Sequence, residues 1–221
     1  MLTELKRRLR ALAKTDRAVH SLRFFKTGPG QYGHGDQFLG ATVPDMRRLV
    51  RSFRELPLDG VDALLASPWH EERLVALMIL VEQYRRQPER RAAIYRLYLA
   101  RTDRINNWDL VDVSAPHVVG AHLETRSRRP LYRLAKSKSL WERRIAIVAT
   151  QHFIRRNDFD DTLAIARLLL GDRHDLIHKA CGWMLREVGK RDEALLRAFL
   201  AEHGPAMPRT MFRYATERLS L

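Results

Sequence analysis

The sequence predicts an all-α fold, and three observations carry that prediction. Apolar residues recur at helical spacing along most of the chain. Few stretches alternate in the two-residue rhythm of a half-buried strand. A degenerate unit returns at intervals of roughly 33 to 39 residues, the period of two-helix repeats. The expected architecture is a helical-repeat solenoid forming a single domain over residues 1–221, with inner helices lining a concave basic groove.

The elements follow in order. Met1 to Arg10 is charged at short intervals and has no apolar leader-like core. A glycine-rich loop, Thr27-Gly28-Pro29-Gly30-Gln31-Tyr32-Gly33-His34-Gly35-Asp36, follows the first helical stretch. It lacks the Gly-Lys-Ser/Thr ending of a phosphate-binding loop and no strand precedes it, which argues against nucleotide binding. It reads as a surface loop, or as a tyrosine-tipped loop reaching toward nucleic acid. Arg73 to Val81 is a nearly continuous apolar run flanked by charge, as in a mostly buried helix. Ser67-Pro68-Trp69-His70-Glu71-Glu72-Arg73-Leu74-Val75-Ala76 resembles Ser139-Leu140-Trp141-Glu142-Arg143-Arg144-Ile145-Ala146, with Asn106 to Leu110 and Asp172 to Leu176 in similar places. Leu163 to Leu170 and Ala194 to Leu200 carry apolar residues at helical spacing. A last helix begins after Pro208 and places Arg209 and Arg213 on one face.

Composition bounds the function. The 221 residues are 45% hydrophobic, enough for a core and against global disorder. A net charge of +14 and a pI of about 10.6 favour an anionic partner. Most of the basic residues are arginine, whose planar fork matches phosphate. The single cysteine, Cys181, excludes an intrachain disulfide framework and reads as a small core residue. No run approaches the roughly 18 apolar residues of a membrane span, so a soluble, cytoplasmic protein is expected; a monomer is the expected state.

Familiar catalytic motifs are absent. His174 and His178 stand four apart, but without a third clustered ligand they read as packing or phosphate-binding residues, and no metal is expected. Four residues remain as candidates: Trp108, Asp112, Arg144 and Trp183. Trp108 and Asp112 are one helical turn apart, and an acid is an odd choice on an arginine-rich surface that meets a polyanion. Gly182, costly by about 1 kcal/mol inside a helix, points to a close approach to the backbone beside Trp183.

The chain resembles the AlkD-like family of HEAT-repeat DNA alkylation-repair glycosylases. Phe38 to Pro44, Trp108 to Asp112, Trp141 to Ile147 and Lys179 to Glu187 carry the resemblance over nearly the whole chain, in matching order and separation. The Phe24 to Gly30 loop and Met207 to Thr210 look like those of a common bacterial branch. The resemblance implies a HEAT-like solenoid that cradles duplex DNA and excises purines alkylated at N3 or N7, without a cofactor. It implies Asp112 as the catalytic carboxylate beside the deoxyribose, Trp108 and Trp183 as indoles flanking the damaged nucleotide, and Arg144 as a contact to the DNA backbone. Asn107 stands where some members carry a second tryptophan, which bears on local packing more than on chemistry. Arg47, Arg48, Lys179, Arg209 and Arg213 are the candidate phosphate contacts. The rival readings are a non-catalytic nucleic-acid structure-binding module, which gains nothing from Asp112, and a protein scaffold, which leaves the charge unexplained.

Overall fold

The computed structural model describes residues 1–219 and falls into two compact units, Met1–Ser114 and Ala115–Leu221. The all-α expectation holds: among the described residues no strand is present beyond one isolated parallel bridge, Gln37 with Trp69. No helix among them is long and apolar enough to cross a membrane.

The first unit is built from α1 (Leu2–Arg10), α2 (Thr15–Phe24), α3 (Val43–Phe53), α4 (Leu58–Leu65), α5 (His70–Arg86), α6 (Arg91–Ala100) and the start of α7 (Trp108–Ala115). Its centre is α5, in which every residue from His70 to Leu80 is buried. The apolar run from Leu74 explains that position, but the helix also buries Glu71, Glu72 and Arg73. Each buried charge is answered, as desolvation demands. Glu72 meets Lys6 of α1 at 2.9 Å. Glu71 accepts the backbone N–H of Leu39 at 2.9 Å and of Gly40 at 2.8 Å. Arg73 donates to Asp36 at 2.6 Å. Gly40 adopts φ +78, and a Cβ there would lie 2.3 Å from the Lys14 carbonyl, so only glycine lets this segment run between α2 and α5.

The second unit contains a π turn (Pro116–Gly120), α8 (Ala121–Leu123), α9 (Arg129–Ala135), α10 (Leu140–Ala149), α11 (Gln151–Ile154), α12 (Asp160–Leu168), α13 (Asp175–Gly189), α14 (Glu193–His203) and α15 (Arg209–Thr216). Pro116 has no N–H for the carbonyl four residues before it, and the backbone loosens into the π turn directly after α7. Inside the unit, Arg128 lies 3.9 Å above the Phe153 ring and pairs with both Asp158 and Asp161. Cys181 is fully buried in α13, and burial pushes its thiol pKa well up.

The repeat is more regular than residue types alone suggest. Ser67, Thr102, Ser137 and Asp172 follow one another at a constant interval of 35 residues. Three of them turn the chain into the next helix in one way: Ser67 Oγ accepts from Trp69 N at 3.1 Å, Ser137 Oγ from Ser139 N at 3.0 Å, and Asp172 Oδ1 from His174 N at 2.8 Å. Six residues on from each turn, a side chain donates back to its carbonyl: Arg73 to Ser67 at 2.9 Å, Arg143 to Ser137 at 3.0 Å, and His178 to Asp172 at 2.5 Å. The structural equivalent of Trp69 is thus the cap Ser139 rather than Trp141, because the role repeats and the residue type does not. In the repeat that begins at Thr102 the corresponding position is Trp108, and the turn is the 3-10 segment Thr102–Arg104.

Gly182 has the crowding that its sequence position implied. A Cβ there would lie 2.5 Å from both the Met211 carbonyl oxygen and Tyr214 Cβ, so what approaches the backbone is α15. Gly182→Ala should therefore lower stability by about 1–3 kcal/mol through overpacking. Gly171→Ala, whose Cβ enters open space, should leave it within about 0.5 kcal/mol, both read from urea unfolding.

Candidate active site on helix α7

Asn107 is fully buried and starts α7. Its side-chain oxygen accepts from Trp108 N at 2.9 Å, its carbonyl accepts from Val111 N at 3.2 Å, and its amide nitrogen reaches Asp36 at 3.5 Å. Asparagine thus starts the helix, as its residue type favours, and also anchors it to the end of the glycine-rich loop.

Trp108, the first residue of α7, is half-buried in an aromatic cluster. Its ring stacks on Phe25 at 5.5 Å and 24°, and Phe24 meets it edge-on at 5.8 Å. Phe25 also stacks on Phe38 at 5.0 Å and contacts the His70 ring at 4.8 Å. The glycine-rich loop makes this possible. Its return brings Gly33 against the Phe25 carbonyl, where a Cβ would lie at 2.3 Å. The loop ends by burying Asp36. Tyr32 is half-buried, so it is no projecting tip.

Asp36 is the hub beneath the rings. It accepts from Arg73 at 2.6 Å and from Asn106 at 3.2 Å, and lies 3.4 Å from His70 Nδ1. Burial opposes its charge, but His70 and Arg73 hold its carboxyl below the ordinary range. His70 Nε2 in turn meets Asp109 Oδ2 at 2.8 Å, while Asp109 Oδ1 accepts from Leu110 N. Burial would strip the His70 proton, yet Asp109 and Asp36 raise its pKa to about 9.

Asp112 follows Trp108 by one helical turn on the same face and is half-buried. Beneath it, Tyr98 is fully buried with its hydroxyl 3.0 Å from Ser114 Oγ, and burial together with the Asp112 charge pushes its phenol pKa up.

In the second unit, Arg144 of α10 is only 5% exposed and donates to the Leu176 carbonyl at 2.6 Å, tying α10 to the first turn of α13. Trp183 is half-buried on α13, next to the Gly182 contact with α15. Lys179 pairs with Asp175 at 2.7 Å. Arg209 and Arg213 are exposed on α15, one turn apart as expected, with Arg213 5.7 Å above the Tyr214 ring. In the first unit Arg47 and Arg48 are exposed on α3, Arg48 pairing with Asp45. His174 and His178 serve the turn before α13: His174 Nδ1 accepts from Leu176 N, and His178 donates to Asp172. Among the described residues no group of three or more histidine, cysteine or acidic side chains could hold a metal ion.

The sequence matches the family described as DNA alkylation repair enzyme over residues 5–219. The chain belongs to that family. A solved structure described as a predicted DNA alkylation repair enzyme from Enterococcus faecalis superposes with a TM-score of 0.72, covering 94% of this chain and 97% of that one. At 17% identity that likeness is one of fold. No curated protein matches the sequence.

Membership assigns this DNA alkylation repair enzyme a role in alkylation repair, and a DNA partner accounts for the +14 charge. What sequence reasoning missed is the support under Trp108: Phe25, Asp36, His70 and Asp109. A signal was available. A helix that opens His-Glu-Glu-Arg before an unbroken apolar run must bury those charges, and buried charges need partners.

Asp36→Asn in this repair enzyme leaves the buried Arg73 guanidinium without its anion, and should cost about 3–5 kcal/mol at neutral pH by urea unfolding. The folded carboxyl is held below its ordinary pKa of 3.8, so its contribution is complete above that value and disappears on further acidification. The gap between parent and variant should narrow accordingly in strong acid.

Proposed function

We propose that the protein is a monofunctional DNA glycosylase. It hydrolyses the N-glycosidic bond of positively charged N3- and N7-alkylated purines, of the 3-methyladenine and 7-methylguanine type, in duplex DNA. One observation carries this reading: a half-buried carboxylate, Asp112, stands one helical turn from an indole held in place by a stack on Phe25.

The chemistry suits those groups. A purine alkylated at N3 or N7 already carries a positive charge and leaves as a neutral base, so no protein acid is required. As the glycosidic bond breaks, positive charge develops on the deoxyribose, as in glycoside hydrolysis. Asp112 stabilises that charge and orients the water that adds to the anomeric carbon, the water proton passing to solvent. The products are the free base and an abasic site. The Trp108 ring adds cation–π attraction of about 0.5–2 kcal/mol, so the carboxylate dominates.

Trp183 is assigned to DNA contact from the second unit, whereas Arg144, buried and donating to the Leu176 carbonyl, is assigned to holding α10 against the first turn of α13. Arg47, Arg48, Lys179, Arg209 and Arg213 are assigned to phosphates, which makes binding steeply salt-dependent. A structure-binding module without chemistry is the competing reading, and base release separates the two.

Asp112→Asn should slow release of 7-methylguanine from methylated duplex DNA by about 100-fold or more, with DNA affinity retained or raised. Release at the parental rate would remove Asp112 from the mechanism. Intact affinity with no release by the parent protein would favour the binding module.

A further inference from the structure

His70 is a buried titratable group that the proposed chemistry does not use. It opens α5 and is 2% exposed. Its two nitrogens face two carboxylates, Nε2 at 2.8 Å from Asp109 of α7 and Nδ1 at 3.4 Å from Asp36 of the loop. Neutral imidazole has one N–H and can donate to only one of them; imidazolium donates to both. Its ring faces Phe25 at 4.8 Å and Phe38 at 4.7 Å, an arrangement that favours a cation between aromatic rings. The other charge close by is Arg73, which Asp36 binds on its second oxygen, with Arg104 acting on Arg73 from farther along the chain.

We propose that His70 is a positioning residue. As a doubly protonated cation it ties the first turn of α7 to the glycine-rich loop and supports Phe25, and thereby holds Trp108 and Asp112 in the orientation that excision requires. Its catalytic consequence rests on the glycosylase reading; its structural consequence does not. One bond tethers Asp109, the residue between Trp108 and Leu110, and the ring contact steadies the platform on which Trp108 stacks. Losing the second proton removes one of the two N–H donors and the charge between the rings.

The pH dependence follows in sign. The folded pKa, about 9, lies above the ordinary 6.5, so the stabilisation is complete below 6.5 and is lost as pH climbs through about 9. The proton is therefore in place at neutral pH, and the site loosens on the alkaline side.

The test uses the full chain and two readouts. One is single-turnover release of 3-methyladenine, a cation with no ring N–H to lose in this range, from methylated duplex DNA at saturating protein. The other is Trp108 emission, taken as the difference between the parent and Trp108→Phe, in the absence of DNA. Both should fall together in the parent with a midpoint near pH 9, while far-ultraviolet circular dichroism stays constant. Asp109→Asn, which keeps the shape and removes a facing charge, should move both midpoints down by about one pH unit or more. His70→Gln should abolish both pH steps and slow release roughly 10- to 100-fold, with DNA affinity by fluorescence anisotropy unchanged. Midpoints that stay put in both variants overturn the proposal. Should the parent release no base at any pH, the glycosylase reading fails, and the emission step, which needs no chemistry, still decides the role of His70.

Discussion

A buried, charged cluster is the constraint on which the first unit depends. Asp36, His70 and Arg73 would each be costly alone in an apolar interior, and with the half-buried Asp109 they satisfy one another. That arrangement joins segments far apart in sequence: the end of a loop, the start of the central helix and the first turn of α7. Hydrophobic burial is non-directional, whereas a hydrogen bond fixes both distance and angle between its partners. The cluster thus fixes where α7 begins, and with it the placement of Trp108.

The 35-residue repeat shows why that placement needs its own support. In three units the turn is closed by a side chain six residues on, Arg73, Arg143 or His178, donating to the turn carbonyl. In the remaining unit the same position is occupied by Trp108. Instead, Arg104 donates back to the carbonyls of Leu65, Ala66 and Ser67, and Asn107 caps the helix. The departure from the repeat and the candidate chemistry coincide at one residue, as expected where local regularity gives way to function.

Much of this was legible in the sequence, for definable reasons. The apolar run from Leu74 to Val81 had to be a buried helix, and Gly182 had to mark a close approach. These are local statements, and backbone geometry enforces them locally. Matching Trp69 with Trp141 by residue type gives the wrong repeat register, because what recurs is a hydrogen bond that serine and aspartate supply equally well. The cluster under Trp108 was out of reach for another reason. The partners of His70 lie 34 and 39 residues away, on opposite sides in sequence, and pairing them requires the fold itself. Phe24 and Phe25 were visible as part of a family resemblance, yet nothing in their spacing identified them as a bed for an indole.

The state of Cys181 bears on how such a protein endures the conditions that create its substrate. Alkylating electrophiles attack thiolates far faster than thiols, and exposed sulfur faster than enclosed sulfur. The only cysteine of the chain lies fully inside α13 with its proton firmly held. Methyl donors that modify the genome therefore find no soft nucleophile of that kind on this molecule's exterior, and repair need not be silenced by the insult it answers.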